Sequence, residues 1–550
     1  MHKAYEADHI IPALLLADGL LAILFSIFAH ALGFDPTPDW GRSRIVISIL
    51  GTLFIICASY LFRYNPRQIQ SERIKTFAAI SHAWAVIILI YVWFITFGTF
   101  TEWRASTRYY SLLADAFNKG QLHVDVEPGA ALLAADDPYN NEGRPPFDDD
   151  VWDLSLYKGK LYLYWGPVPA LLMAPLQRAL GTSLPDLYPV FFFFCGLLVV
   201  NSMILLKIRS IFFPSLPLRN LIASLLVLCL ILPIPWSLSI PDVYEAAIGA
   251  GQFFLMGGIL FTLLAFEKNI DTTPLALAGL FWACSVGSRA INVLSILFLT
   301  ALTLEWICKT RSSGWIKSSL ALLTPLALGA LLIAGYNHAR FDSPLEFGLR
   351  YQITVQNMNR DMPLAFELDY LPHNVNAYIL QPFQFVSGFP FIRPVGYTAQ
   401  LQNRGIVAPG LYAAGNVTGF VFFAPFLLLA CLPFLQRTSA EENDSAELKR
   451  LALHLLAGSF IVNFASLLLY YYGQMRFLVD IISQITLLAV FGYWTLLQKY
   501  PAIYRHAANI LIAFTIIVSL LLSVTSESGR MEKLNPAMTD GVNSLFARGE

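Results

Sequence analysis

The sequence predicts an all-α fold, a polytopic integral membrane protein with about thirteen transmembrane helices. Three observations carry that prediction. Apolar residues form 56% of the 550-residue chain and charged residues only 13%, too little polar material to cover a soluble protein of this size. Long apolar runs recur, many near the roughly 20 residues that cross about 30 Å of hydrocarbon as helix. These runs are continuous rather than alternating, which excludes an outer-membrane barrel, the other structure that satisfies its backbone in lipid.

Taken in order, the apolar runs place spans near 9–31, 45–62, 78–99, 187–206, 220–236, 250–266, 273–288, 290–307, 319–335, 411–432, 451–470, 477–497 and 506–524. The third is typical: from Ala83 to Phe100 it reads AWAVIILIYVWFITFGTF without a charge, and it stops just before Glu102 and Arg104. The first has a weak basic start and no small-residue cleavage site, so it reads as a retained span and not a signal peptide. A net charge of −1 gives no reason to expect a nucleic-acid partner. The six cysteines are scattered without a CxxC pair, which supports neither a disulfide framework nor a zinc site.

Short basic loops set the orientation, because Lys and Arg accumulate on the cytoplasmic side. Arg63, Arg67, Arg73 and Lys75 oppose a single Glu72 after the second span; Lys207, Arg209 and Arg219, then Lys309, Arg311 and Lys317, then Arg437, Lys449 and Arg450 mark further inner loops. The N-terminus is then cytoplasmic, in a bacterial inner membrane, and the two large polar segments, 100–186 and 336–410, share the outer face. Residues 1–524 form one membrane domain, followed by a polar tail at 525–550. The stretch YWGPVPALLMAPLQRAL at 164–180 is apolar but short, with three prolines and Arg178. A full crossing there would reverse the next basic loop, so partial insertion or an interfacial helix fits better.

The outer segments hold the chemistry. In TRYYSLLADAFNKG, Tyr109, Leu112, Leu113, Ala116 and Phe117 recur at helical spacing and predict a surface helix that stops at Gly120. Between 101 and 160 there are eleven carboxylates against six basic residues. A carboxylate here serves either as general base or as ligand to a divalent ion. Asp137, in DDPY, and Asp153, in WDLSLYKGK, sit among aromatics and turns; the run Asp148, Asp149, Asp150 reads as hydrated surface, and Asp137 equally suits a turn cap. Arg108 on the surface helix, and Lys158 with Lys160, suit a lipid phosphate or ordinary anionic headgroups. A second outer site is marked by Asp242 and Glu245, three apart beside an apolar run; a helix cap by Asp242 is the alternative. In the later segment Arg340 and Arg350 supply positive charge, and Arg476 in YYGQMRFLVD sits at a membrane boundary, as phosphate contact or interface anchor.

These features, in the order TRYYSLLADAFNKGQ, DLSLYKGKLYLYWGPVPALLMAP, YNHARFDSPLEFG and GQMRFLVD, resemble the GT-C superfamily of membrane glycosyltransferases that use polyprenyl-phosphate sugars, in the manner of protein mannosyltransferases and aminoarabinose transferases. The resemblance spans most of the chain and implies an inverting sugar transfer at the outer face. It implies a carboxylate base just ahead of the surface helix, where this chain has Ser106 and Thr107. Glu102 is the nearest substitute, with Asp137 and Asp153 reaching in from later in the loop. Arg108, Arg476 and Lys160 would hold the lipid phosphate, and some relatives use a divalent metal ion. The partners implied are a polyprenyl-phosphate sugar, membrane lipid and an acceptor that the sequence does not specify. Two rivals stand beside this reading: a transporter or flippase for a lipid-linked or polar solute, and a noncatalytic assembly protein with the same fold.

Overall fold

The computed structural model describes residues 10–30, 35, 37, 40–63, 72–147, 151–267, 270–309, 314–435, 444–526 and 529–547. The acidic run Asp148–Asp150 and the basic residues Arg67, Arg311 and Arg437 lie outside them. The main helices are α1 (Ile10–Phe28), α2 (Arg42–Arg63), α3 (Glu72–Ile95), α4 (Tyr109–Asn118), α5 (Val168–Leu180), α6 (Leu187–Phe212), α7 (Leu218–Leu230), α8 (Val243–Ala265), α9 (Thr272–Val286), α10 (Val293–Lys309), α11 (Trp315–Phe341), α12 (Asp444–Leu469), α13 (Val479–Lys499), α14 (Ala502–Thr525) and α15 (Pro536–Ala547). Among the described residues nine helices are long and apolar enough to cross a membrane, and four shorter apolar ones, Leu14–Phe28, Leu218–Leu230, Thr272–Val286 and Pro425–Leu435, overlap the other four apolar runs of the sequence.

α8 and α13 are buried along most of their length and form the centre. α2 and α11 instead turn apolar side chains such as Ile56, Leu331 and Leu332 outward, as a lipid-facing wall requires. Isolated charges within the bundle find partners: Asp18 of α1 meets His82 Nε2 of α3 at 2.6 Å.

α4 and α5 are the exceptions to the spanning pattern. α5 has 13 residues, about 20 Å of helix, short of the hydrocarbon thickness. Its Ala170, Met173, Ala174 and Gln177 face inward, while Leu171, Leu172, Leu176 and Leu180 are exposed. Gln177 ties it to α4, donating to Asp115 Oδ1 at 2.6 Å and to the Ser111 carbonyl at 3.3 Å. Residues 164–180 thus carry a short amphipathic helix packed against α4. α4 ends before Gly120, whose φ of +73° suits a glycine stop. Its buried face is set by Tyr110, Leu113 and Ala114, one residue round from the stripe read in the sequence.

One expected span is different. Over 411–432 the chain is not one helix: Ala413–Ala414 pairs in parallel with Tyr472–Gly473, and Asn416–Val417 pairs with Val395–Gly396, before apolar 3-10 and α turns run to Leu435. The later polar segment, expected on the outer face, therefore runs from the end of α11 to about 419, and Arg340 belongs to the last turn of α11. Hydropathy cannot separate a buried re-entrant loop from a helix, because both are apolar.

The two outer segments are stitched together. Ser155–Tyr157 and Lys160–Tyr162 form a hairpin whose two-residue turn, Lys158 and Gly159, has φ of +48° and +74°, the mirror-image turn that suits strand twist. Ser155 Oγ donates to the Gly348 carbonyl at 2.8 Å, and Tyr157 and Lys158 both reach Asp342, at 2.8 and 2.5 Å. Gly166 closes the base of this unit: a Cβ there would stand 2.1 Å from the Gly287 carbonyl oxygen, against which Val168 N donates at 3.0 Å. Because the obstacle is backbone, Gly166→Val is expected to cost about 1–3 kcal/mol. A thermal scan of purified protein checks this, and an unchanged melting temperature would show that the contact is soft.

Candidate functional site

The residues with strongest claims to chemistry gather at one end of the bundle, where the first outer segment, the start of α8, the later outer segment and the start of α13 meet. Asp153 lies at their junction, 5% exposed and in left-handed backbone at φ +60°, a conformation costly for a residue with a side chain. That backbone is held by bonds to the later segment: Asp153 N donates to the Ile353 carbonyl at 2.9 Å and Ile353 N returns to Leu154 O at 2.8 Å. The Asp153 carboxylate accepts Gln352 Nε2 on Oδ1 at 2.8 Å and the Tyr244 hydroxyl on Oδ2. Burial pushes its pKa up to about 6; the Thr354 hydroxyl, nearby Arg476 and Gln352 pull against that rise.

Tyr244 links this carboxylate to the cations. The Arg476 guanidinium lies over its ring, 4.0 Å from the centroid, and also reaches Glu245 Oε1 at 3.8 Å. Glu245, 1% exposed, faces into the bundle from the first turn of α8. On the other side of Phe477 lies Arg289, 5.4 Å from the ring centroid, paired in fork geometry with Asp480 at 2.8–3.0 Å. Asp480 is 1% exposed, in the first turn of α13. Below this pair a polar file continues inward through Asn292, Asn463, Gln484 and Gln252, with Gln252 Nε2 donating to Gln484 Oε1 at 2.7 Å. Tyr164, Tyr470 and Tyr471 wall the junction with aromatic rings.

Ser106 and Thr107, which stand where the resemblance implies a carboxylate, are themselves bonded to carboxylates from elsewhere. Ser106 Oγ donates to Asp242. Thr107 Oγ1 donates to Asp186 Oδ2 at 2.7 Å and accepts Val243 N at 3.0 Å. Asp186 also accepts the Tyr109 and Tyr110 amides at 2.8 and 2.9 Å, satisfying two orphan donors at the start of α4 from a distant part of the chain. Burial raises the Asp186 pKa to about 6 against those bonds, helped by the neighbouring Asp242. Asp242 stands at the N-cap position of α8 without a side-chain cap bond, and Arg530 Nη1 lies 3.2 Å from both its oxygens. Asp242 and Glu245 therefore face different partners.

The remaining sequence candidates fall further out. Asp137 is exposed and accepts Tyr139 N, two residues on, at 3.1 Å, a turn bond, with Asn357 on its other oxygen at 3.0 Å. Glu102 is exposed and pairs with Arg104. Arg108 is exposed at the head of α4, its side chain making no hydrogen bond or ion pair among the described residues; Lys160 is exposed in the hairpin. Arg340 is buried, bonded to the Leu163 carbonyl at 2.5 Å and to Asn337 at 2.7 Å, and stacked 3.9 Å from the Tyr336 centroid, where it fastens α11 to the first outer segment. Arg350 is half-exposed, 3.9 Å from Glu346. Tyr244, Gln352, Asp186 and Arg530 carried no sequence signal of function. Asp480 alone was visible as a charge beside an apolar run.

No cluster of three or more His, Cys, Asp or Glu side chains suited to a metal ion occurs among the described residues, and Asp186 and Asp242 are taken up by protein donors. The described carboxylates do not fit a resident divalent ion.

An apolar cavity of about 330 Å³ lies between α12, α13 and the 425–435 turns, lined by Ile379, Phe420, Leu427, Phe460, Phe464 and Leu488 among others. Its Phe464 lies 6.5 Å from the Tyr378 ring, whose hydroxyl accepts Gln474 N at 3.1 Å, two residues before Arg476.

No family model and no curated protein matches the chain. Solved structures similar to it are the Archaeoglobus fulgidus oligosaccharyltransferase in the apo form, at 12% identity and TM-score 0.43 over 84% of this chain and 56% of that one. The oligosaccharyltransferase AglB of the same organism, with an inhibitory peptide and a dolichol-phosphate, is similar at 14% identity and TM-score 0.41 over 83% and 56%. The enzyme tethered to an acceptor peptide gives 12%, 0.40, 82% and 55%. The chain spans just over half the length of these three structures.

Proposed function

We propose that this chain is a GT-C-type membrane glycosyltransferase that moves a sugar from a polyprenyl-phosphate carrier to an acceptor hydroxyl at the outer face of a bacterial inner membrane, with inversion. One observation carries the reading: a buried carboxylate, Asp153, held by donors from two other segments beside Arg476. The Asp153 carboxylate accepts from Tyr244, Gln352 and Thr354, and its two oxygens keep a lone pair for a proton. Asp153 removes the acceptor proton as its oxygen attacks the anomeric carbon, and the lipid phosphate leaves. Arg476 lies where charge develops on that phosphate, and exposed Arg108 supplies a second cation. The cavity takes the hydrocarbon end of the carrier.

The test is a purified, lipid-reconstituted chain offered polyprenyl-phosphate sugars, with acceptor-dependent release of polyprenyl phosphate as the readout. The pH profile is a second check. With Asp153 at about 6, kcat/KM is expected to fall below pH 6 as the base takes up its proton and to be flat above. Stability should run oppositely. An unfolded carboxyl ionises near 3.8, so the folded state binds more protons between about pH 4 and 6 and loses stability as pH rises through that window. A profile without an acid limb near 6 removes Asp153 as the base.

A second reading, solute or lipid transport, draws on the polar file from Arg289 and Asp480 to Gln252. Solute movement in vesicles without glycosyl transfer would favour it.

A further inference from the structure

The C-terminal segment after α14 folds back over the outer end of the bundle. The chain turns at Ser526 (φ +43°) and Gly529 (φ +64°), and Met531 is fully buried beneath it. From there the segment reaches three separate parts of the outer rim. Arg530 holds Asp242 and lies 5.4 Å from the Phe97 centroid. Asn535 Nδ2 donates to the Phe97 carbonyl at 2.9 Å, and Arg104 Nη1 to the Leu534 carbonyl at 3.3 Å. Glu532 pairs with Arg393 at 2.9 Å, and Asn543 Oδ1 accepts Phe389 N at 2.6 Å.

We propose that residues 529–547 are a latch across the outer site, held shut by Arg530 on Asp242. Asp242 lies two residues before Tyr244, the donor to Asp153, and it is bonded to Ser106 at the head of α4, so Arg530 bridges the rim at the point where the first outer segment meets α8. The latch contacts are ion pairs and single hydrogen bonds at the rim, Arg393–Glu532 exposed and Arg530–Asp242 partly buried, its side chains 23% and 19% exposed; such contacts are weakened by salt and yield without unfolding the bundle. Buried Met531 is the pivot. In the closed state the first outer segment and the 384–393 hairpin are tied to one strap, and release of Arg530 frees both rims for an acceptor. This rests on the proposed glycosyltransferase reading only for its activity arm.

Two measurements on the full chain in lipid test it. Arg530→Gln is expected to speed amide hydrogen exchange across 529–547 about tenfold, with α8 and α13 unaffected; wild type at high salt should move the same way. Unchanged exchange in that segment overturns the latch. For the second, a Cβ on Gly388 would lie 3.9 Å from Asn543 Cγ, so the pair Gly388→Cys and Asn543→Cys can be oxidised into a lock. Oxidation is expected to cut sugar transfer at least tenfold and reductant to restore it; full transfer by the locked protein overturns the proposal. Absence of transfer in wild type and in every variant counts against the enzyme reading, and the exchange result then decides the latch by itself.

Discussion

Asp153→Asn is expected to lower kcat/KM for sugar transfer by about 10²–10⁴-fold, the usual contribution of a positioned general base. The substitution is nearly isosteric. The Asn oxygen still accepts Gln352 Nε2, and its amide meets the Tyr244 hydroxyl, which accepts as readily as it donates. The fold should therefore survive, and at neutral pH it should gain slightly, because a carboxylate held above its ordinary pKa by burial has been replaced by a neutral group. Loss of turnover with unchanged or raised thermal stability is the signature of a base, whereas loss of both would mark a structural part. Asp137→Asn, made in parallel, keeps a side-chain oxygen for the Tyr139 amide. Turnover lost there and kept in Asp153→Asn would move the base to Asp137.

The largest expected effect on stability comes from the Arg289–Asp480 pair. Arg289→Met leaves Asp480, 1% exposed, without its fork partner inside the bundle. Stranding one member of a buried pair costs about 3–5 kcal/mol, since the charge is neither solvated nor compensated. Joint replacement, Arg289→Met with Asp480→Leu, removes both charges and should recover most of that loss. The thermal scans of the two single variants and the double variant form a cycle that measures the coupling. A double variant no more stable than the single would show that Asn463, which donates to the Asp480 carbonyl, and the rest of the polar file need this pair for their own geometry.

The spans were legible because hydrocarbon imposes a length and forbids charge, so each apolar run announces a helix whatever its neighbours do. The run at 411–432 failed that rule for a physical reason. Its first third is buried in protein and bonded edge-on to 395–396 and 472–473, an environment that selects apolar residues as strongly as lipid does. At the site, Asp153 and Arg476 stood out in sequence, as a carboxylate among aromatics and a cation at a boundary. Their neighbours did not: Tyr244, Gln352 and Asp186 become functional through contacts separated by 77 to 199 positions, and no local pattern encodes those. Asp186 stands at the N-cap position of α6, yet its carboxylate serves the head of α4.

Thr107 has a consequence for how this corner can change over time. One oxygen passes its hydrogen to Asp186 and takes the hydrogen of Val243, so the tilt of α4 and the starting point of α8 are indexed to the same atom. A valine would fill the same volume while leaving the Val243 amide without this acceptor and taking one of three donors from Asp186. Only serine carries the same pair of bonds in so small a side chain, and drift at this position is confined to two letters of the alphabet.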